Sequence, residues 1–336
     1  MACCILSKTC ALSHLWMCVL SLTITQDTAQ NLSFTGSIQN LTIGPNVRYS
    51  VLKNEITKVK GPVRNEGVFH MNGSDDQEVS ISVSGPTFEN MNLFVFDSRD
   101  PSTKGSYLIR SDTFRNSGEM YVGVSGNLYS VLMLDITAKK SWRNSGQMTF
   151  ETTQGFTKSL ALACKGGPVI NDGAICLVNI DWTPSSDLSG DGCIIIEKGA
   201  KVQIMANGDN NGNPGVFVSP DQTFFLTDLT SVLEIVLSGS SCLNEYPTYK
   251  VAGFGNSNPI RFTFFFHLFS YSPETGILTV RARDLGINLD IGKGYLLYHF
   301  NRSQGLMGSH ISYSFDPPNA APLMCTCSKP SLEGFP

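Results

Sequence analysis

The chain has 336 residues, a net charge of −4, only 15% charged residues and 41% hydrophobic ones. Such a balance leaves no basic stripe, which argues against a nucleic-acid-binding role resting on phosphate contacts. There is ample apolar material for a core, while solubility falls to Ser, Thr, Asn and Gly rather than to charge.

The first thirty residues read as an export signal. Lys8 precedes an apolar run over residues 11–22, and small polar residues follow up to Ala29. Cleavage is expected between Thr23 and Gln30, which makes residues 1–29 a leader. The run is about a dozen residues, short of the roughly 20 needed to span a bilayer, so an anchor is the weaker reading. In an exported chain the sequons at Asn31, Asn40, Asn72 and Asn301 are candidate glycan acceptors. Residues 30–62 carry short β-like runs at 32–34, 41–43 and 49–52 and are expected to cap the body that follows, since an open stack end exposes unpaired backbone.

From residue 63 the chain repeats. Phe114-Arg-Asn-Ser-Gly-Glu-Met-Tyr-Val returns as Trp142-Arg-Asn-Ser-Gly-Gln-Met-Thr-Phe, and looser copies surround Asn65, Asn90 and Asn171. Asparagines at 65, 90, 116, 144 and 171 are spaced by 25, 26, 28 and 27 residues. A period in the twenties, with alternating strands and no helical apolar stripe, predicts a parallel β-helix in which each turn buries its apolar face against its neighbours. An Asn followed two residues later by Gly is expected to turn a corner through positive φ. Asn65, Asn90, Asn116, Asn144 and Asn171 should then stack as an internal amide ladder at the strand spacing of roughly 4.8 Å.

The β-helix is expected over residues 63–244. Looser units at 190–196 and 213–218 continue it, and strand-turn-strand stretches at 194–204 and 224–236 supply the other sides of late coils. The loop at 207–215 superficially resembles a calcium loop, but it lacks a closing glutamate and offers only Asp209, so a glycine-rich turn is the better reading. After about residue 245 the texture changes, and a small β-rich subdomain over 245–325 is expected. The aromatic run 262–269 there reads as a buried strand over the last coil, followed by a hairpin through Ser272-Pro-Glu-Thr-Gly276. Residues 316–322 have extended, linker-like composition, and 326–336 form a tail.

Outside the leader lie six cysteines, Cys164, Cys176, Cys193, Cys242, Cys325 and Cys327, all disulfide candidates in an oxidising compartment. Their fifteen possible pairings stay open, but at least one of Cys325 and Cys327 is expected to staple the tail to the body. A zinc site is disfavoured, because Cys-Thr-Cys without a second close pair has poor ligand spacing.

The Asn-Ser-Gly units, Gly190-Asp-Gly-Cys-Ile-Ile-Ile-Glu-Lys-Gly199, and the late series Val251-Ala-Gly-Phe-Gly-Asn, Thr275-Gly-Ile-Leu-Thr and Ile291-Gly-Lys-Gly-Tyr resemble the N-terminal domain of the hyphally regulated (Hyr/Iff-type) cell-wall proteins of Candida-type yeasts. The resemblance covers most of residues 30–325. It implies an exposed wall module of the adhesin-like class with no established catalysis. Such proteins are expected to continue into a Ser/Thr-rich stalk and a lipid-anchor signal, patterns that residues 328–336 do not carry.

Three functions follow in order of fit. The first is a non-catalytic, secreted adhesin-like module, monomeric and cofactor-free, whose side wall contacts an unknown glycan or protein surface ligand. The second is a polysaccharide-active β-helix enzyme, which would need clustered carboxylates. Asp97, Asp100, Asp187, Asp191 and Asp228 share no offset from the repeat, and His14, His70, His267, His299 and His310 show no metal or nucleophile spacing. The third is a purely structural wall protein.

Overall fold

The computed structural model describes residues 20–31, 37–54, 56–73, 79–99, 105–125, 133–153, 159–207, 215–237, 246–282, 285–305 and 308–330. It is an all-β solenoid built from a 16-stranded and a 13-stranded sheet, parallel along the stack and antiparallel only at its C-terminal end. The sequence period sets the register. Asn65 pairs with Asn90, Asn90 with Asn116, Asn116 with Asn144 and Asn144 with Asn171.

Each regular coil crosses the larger sheet on a long strand, turns at its Asn, and returns through the smaller sheet. The strands Val79–Asn90, Gly105–Asn116 and Met133–Asn144 do this in the best repeats. In flanking coils the same path breaks in two: Ile56–Val59 and Val63–Asn65 both pair with Val79–Asn90. The larger sheet is therefore crossed in two segments by these coils.

Alternation explains the core. Phe94 and Phe96, Met120 and Val122, and Met148 and Phe150 face inward from the smaller sheet against Ile81, Ile109, Leu134 and Ile136 from the larger. Two residues before the ladder position, Phe88, Phe114 and Trp142 stack with centroids 5.3 and 4.9 Å apart. Such pairs contribute roughly 0.5–1.5 kcal/mol beyond their buried area.

Several expectations change. Residues 30–62 do not form a separate cap: Ser37–Ile43 and Arg48–Asn54 are coil strands in parallel register with the following turn. Leu20–Ile24 and Thr28–Asn31 add strands below them, so a cut between Thr23 and Gln30 would disrupt the outermost turn; residues 1–19 lie outside the described residues. The stack also does not end at 244. Thr248–Ala252 and Ile260–Phe262 continue it in parallel, and Leu285–Asp290 adds a last parallel strand before the antiparallel cap.

Another change concerns the corners. Among the described residues the non-glycine left-handed positions are Asn46, Lys53, Asn179, Asn256 and Ser257, and the left-handed glycines do not include Gly118 or Gly146. These two glycines answer to space. A Cβ on Gly146 would lie 2.0 Å from the Gly118 carbonyl oxygen, and one on Gly118 would lie 2.0 Å from that of Asn92. At these two corners a Cβ would meet backbone unless the turns shifted, although the same corner one coil earlier is held by Asn92.

The aromatic run divides rather than forming one covering strand. Phe262 ends a strand of the larger sheet, Phe266 is buried, and Phe265 and Leu268 are exposed. Leu268–Ser272 then pairs antiparallel with Ile277–Ala282 across the Pro-Glu-Thr-Gly turn.

Candidate functional site

The asparagines serve the interior. Each is fully buried, and each Nδ2 donates to the Oδ1 of the next: Asn65 to Asn90 at 2.7 Å, Asn90 to Asn116 at 2.7 Å, Asn116 to Asn144 at 2.8 Å and Asn144 to Asn171 at 2.8 Å. The same nitrogens donate to backbone carbonyls at the corner, as Asn116 does to Gly118 and Gln147. Gln222 closes the upper end, accepting from Asn171 Nδ2 at 3.1 Å. At the lower end the position beneath Asn65 is Ile43, which leaves Asn65 Oδ1 buried without a donor.

The wall outside is polar and locally neutral. Along the larger sheet Arg64 pairs with Glu66 and Glu89, Arg110 with Asp135, Asp112 with Lys139 and Lys140, and Arg143 with Asp172. Exposed pairs of this kind contribute roughly 0–1 kcal/mol each, so their main effect is a surface without a single-sign field.

One coil dents that wall. From Asn171 to Gly190 the chain closes a turn in 19 residues instead of 25 to 28, and its larger-sheet strands shrink to Asp181–Trp182 and Leu188–Ser189. Thr183, Pro184, Ser185 and Ser186 fill the gap between them, and a groove opens there. Lys165 and Pro168 border it from the coil below, and Met205 and Val216 from the coil above. Asp187 is fixed at its edge by accepting from the Phe217 N–H at 2.8 Å, and the Phe217 ring beside it is 59% exposed. Hydroxyls, one cation and one carboxylate beside the apolar Pro168, Pro184, Met205 and Val216 can together hold an uncharged chain that has both polar and apolar faces.

The smaller sheet is crossed by the C-terminal tail. Cys193 is joined to Cys325 and Cys176 to Cys327. Strand parity decides who pairs: Cys176 alternates with inward Ile175 and Leu177, and Cys193 precedes inward Ile194, so both point outward. Cys164 shares the parity of inward Leu160 and Leu162, which turns its thiol into the core, buried and free. It is therefore not a disulfide partner, contrary to expectation, and Cys242 lies outside the described residues. Beyond Cys327, Ser328 donates to Gln147 Oε1 through its N–H at 2.9 Å, and Lys329 Nζ lies 3.0 Å from Glu151. The tail thus steps back one strand at a time against the direction of stack growth. Within the expected tail, residues 327–329 are pinned to the sheet.

Glu151 also accepts from the Tyr121 hydroxyl at 2.7 Å and faces Arg99, itself bound to Asp97. Burial pushes the Glu151 carboxyl up, but the Tyr121, Lys329 and Arg99 contacts outweigh it and leave its pKa below the ordinary value. Glu197, two strands along the same outward row, is pushed up by burial. Two carboxylates shifted apart are a pattern used in acid-base chemistry. Here they stand roughly 10 Å apart at strand spacing, with the tail's Lys329 on one of them.

The other candidates are dispersed. Asp228 accepts from Thr230, Asp191 is exposed, and Asp100, His14 and Asp209 lie outside the described residues. His70 is buried on the smaller sheet and its pKa falls to about 4 through burial, while His267, His299 and His310 belong to the C-terminal cap. Among the described residues no group of three His, Cys, Asp or Glu side chains could hold a metal ion. Among the sequons, Asn40, Asn72 and Asn301 are exposed, and the Asn31 side chain lies outside the described residues. No helix among the described residues is long and apolar enough to cross a membrane.

Gln222, Tyr121 and Glu151 were not singled out by sequence. Gln222 lies 51 residues from its partner and breaks the period. Glu151 did carry a signal, being the outward member of an alternating strand beside a buried Phe150.

Comparison with known proteins gives these features a context. A family described as hyphally regulated cell wall protein N-terminal matches residues 12–333. Hyphally regulated cell wall protein 3 of Candida albicans is 30% identical over 301 residues, 85% of this chain and 23% of that protein. Cell wall protein RBR3 of the same organism is 28% identical over 329 residues, covering 91% of this chain and 20% of its own length. Cell wall protein IFF7 is 26% identical over 332 residues, 92% of this chain and 44% of that protein. The chain thus spans less than half the length of these relatives. The matched span takes in the first coils, the ladder, the groove, the antiparallel cap and both tail cysteines: the chain belongs to the hyphally regulated cell wall protein N-terminal family.

Proposed function

We propose that this chain is a non-catalytic adhesive module of the cell wall, which contacts a glycan or protein surface through its side wall. Relatives named as cell wall proteins support the location. The observation that carries the contact reading is the groove at the shortened coil: near-neutral and of mixed character, with Thr183, Ser185, Ser186, Lys165 and Asp187 set among the apolar Pro168, Pro184, Met205 and Val216. It is set in a rigid stack, so little ordering is lost on binding. Single sites of this kind bind weakly, and many displayed copies multiply them.

The test displays the protein densely on beads. It is expected to promote attachment to glycan-coated or cell surfaces while the same protein free in solution binds poorly, and Asp187→Ala with Phe217→Ala should reduce attachment several-fold. Attachment unchanged by the double variant would move the contact away from the groove. Turnover of a polysaccharide by pure protein would replace the adhesive reading with a catalytic one.

A further inference from the structure

The tail does more than close the fold. Its two disulfides join residues 151 and 132 positions apart in sequence, both on the smaller sheet and on adjacent strands. Everything between Cys176 and Cys327, including the groove's upper border, the last coils and the antiparallel cap, lies inside one covalent loop. We propose that this tail is a load-bearing clasp: tension applied to the chain beyond Cys327 enters the stack at Cys176 and bypasses the loop.

Three independent features fit that path. The contacts beyond Cys327 continue onto the next strand, at Gln147 and Glu151, so the first increment of load is shared by noncovalent bonds. From Glu151 the polar links run on through Tyr121, Arg99 and Asp97 across two further strands, which spreads the load over several coils. The reinforced coils are also those on the loaded side. The amide ladder rises from Asn65 to Asn171, and the stacked Phe88, Phe114 and Trp142 lie within the same coils, all before Cys176. The shortened coil and the antiparallel cap sit on the sheltered side. The second disulfide is a reserve: if Cys176–Cys327 opens, Cys193–Cys325 still shelters most of the loop.

The proposal draws on the adhesive reading only for the source of tension, and its test needs no ligand. The full chain, held by covalent handles at its two ends, is unfolded by force in a single-molecule instrument, where rupture is governed by unfolding rates. Oxidised protein should extend short of full length by the 151 residues between Cys176 and Cys327, about 500 Å of chain. Cys327→Ser passes the load to the second disulfide and should add 151 − 132 = 19 residues, about 65 Å. Dithiothreitol added to folded wild-type protein should release the whole loop, which gives the same answer without any substitution. First rupture should then also come at lower force, because the cap is no longer sheltered. Oxidised protein that extends to full length, or a reduced protein with the same extension, overturns the clasp and leaves the adhesive reading untouched. Failure of the bead assay with the shortened extension intact overturns the adhesive reading alone.

Discussion

At the scale of single residues, the ladder shows how one amide does work that no apolar side chain could. Asn90, Asn116 and Asn144 each satisfy an amide above, an amide below and a carbonyl at the corner, inside a closed core. Replacing Asn116 by Leu removes the acceptor of Asn90, the donor to Asn144 and the bonds to Gly118 and Gln147 in one step. Orphaned buried polar groups cost about 1–3 kcal/mol each, so we expect Asn116→Leu to destabilise by at least that, read as a lower denaturant midpoint. Asn72→Leu, at an exposed position on the smaller sheet, should stay within about 0.5 kcal/mol of wild type. Equal losses at both positions would mean that the ladder adds nothing beyond packing. These asparagines were legible because their spacing is the period itself, and a residue that recurs at every turn without being apolar has few reasons to be there. Gln222 was not, because it reaches back across an irregular coil that carries no ladder residue of its own.

At the scale of the element, the strand-to-strand distance governs more than the turn chemistry does. Asn-Ser-Gly reads naturally as a left-handed corner, yet Gly118 and Gly146 are held by the carbonyl of the turn beneath. Local sequence shows which residues favour a turn; it does not show how near the next turn lies. Gly146→Ala would set a methyl group against backbone, which cannot rotate away, and the two corners must separate. Overpacking of this kind costs about 1–3 kcal/mol, and more where the obstacle is main chain. Gly167→Ala meets nothing within 4 Å and should be close to neutral. Thermal melts of the two variants separate the explanations, since a purely conformational role for Gly146 would leave Ala as harmless there as at Gly167. Parity was the other legible feature, because alternation with Ile175, Leu177 and Ile194 already turns Cys176 and Cys193 outward. What alternation withholds is the route of a distant tail, and the disulfide pairing follows from that route.

At the scale of the whole molecule, a solenoid holds together through nearest neighbours, and its coils can come apart in sections. The parallel register and the core follow from period and alternation, and the antiparallel hairpin near the end follows from its Pro-Glu-Thr-Gly turn. The position of the tail does not, because a Pro-rich segment has no apolar pattern of its own to dock. That segment nevertheless decides how cooperative the stack is. With both disulfides closed, the C-terminal coils are tied at Cys176 and Cys193 and cannot peel away from the last turn inward without dragging the tail with them. Closing a loop of this length stabilises by roughly 4–5 kcal/mol on chain-entropy grounds, and the second, nested bond adds less. Reduction should therefore lower protection against hydrogen exchange first in the strands Thr248–Ala252, Ile260–Phe262 and Gly308–Tyr313. The strands Gly105–Asn116 and Met133–Asn144, laced by the ladder, should keep theirs. Exchange followed by mass spectrometry on oxidised and reduced protein resolves the two regions. A uniform loss across all coils would show that the stack melts as one unit and that the tail stabilises every turn alike; no loss at all would show that noncovalent packing already holds the C-terminal coils without the disulfides.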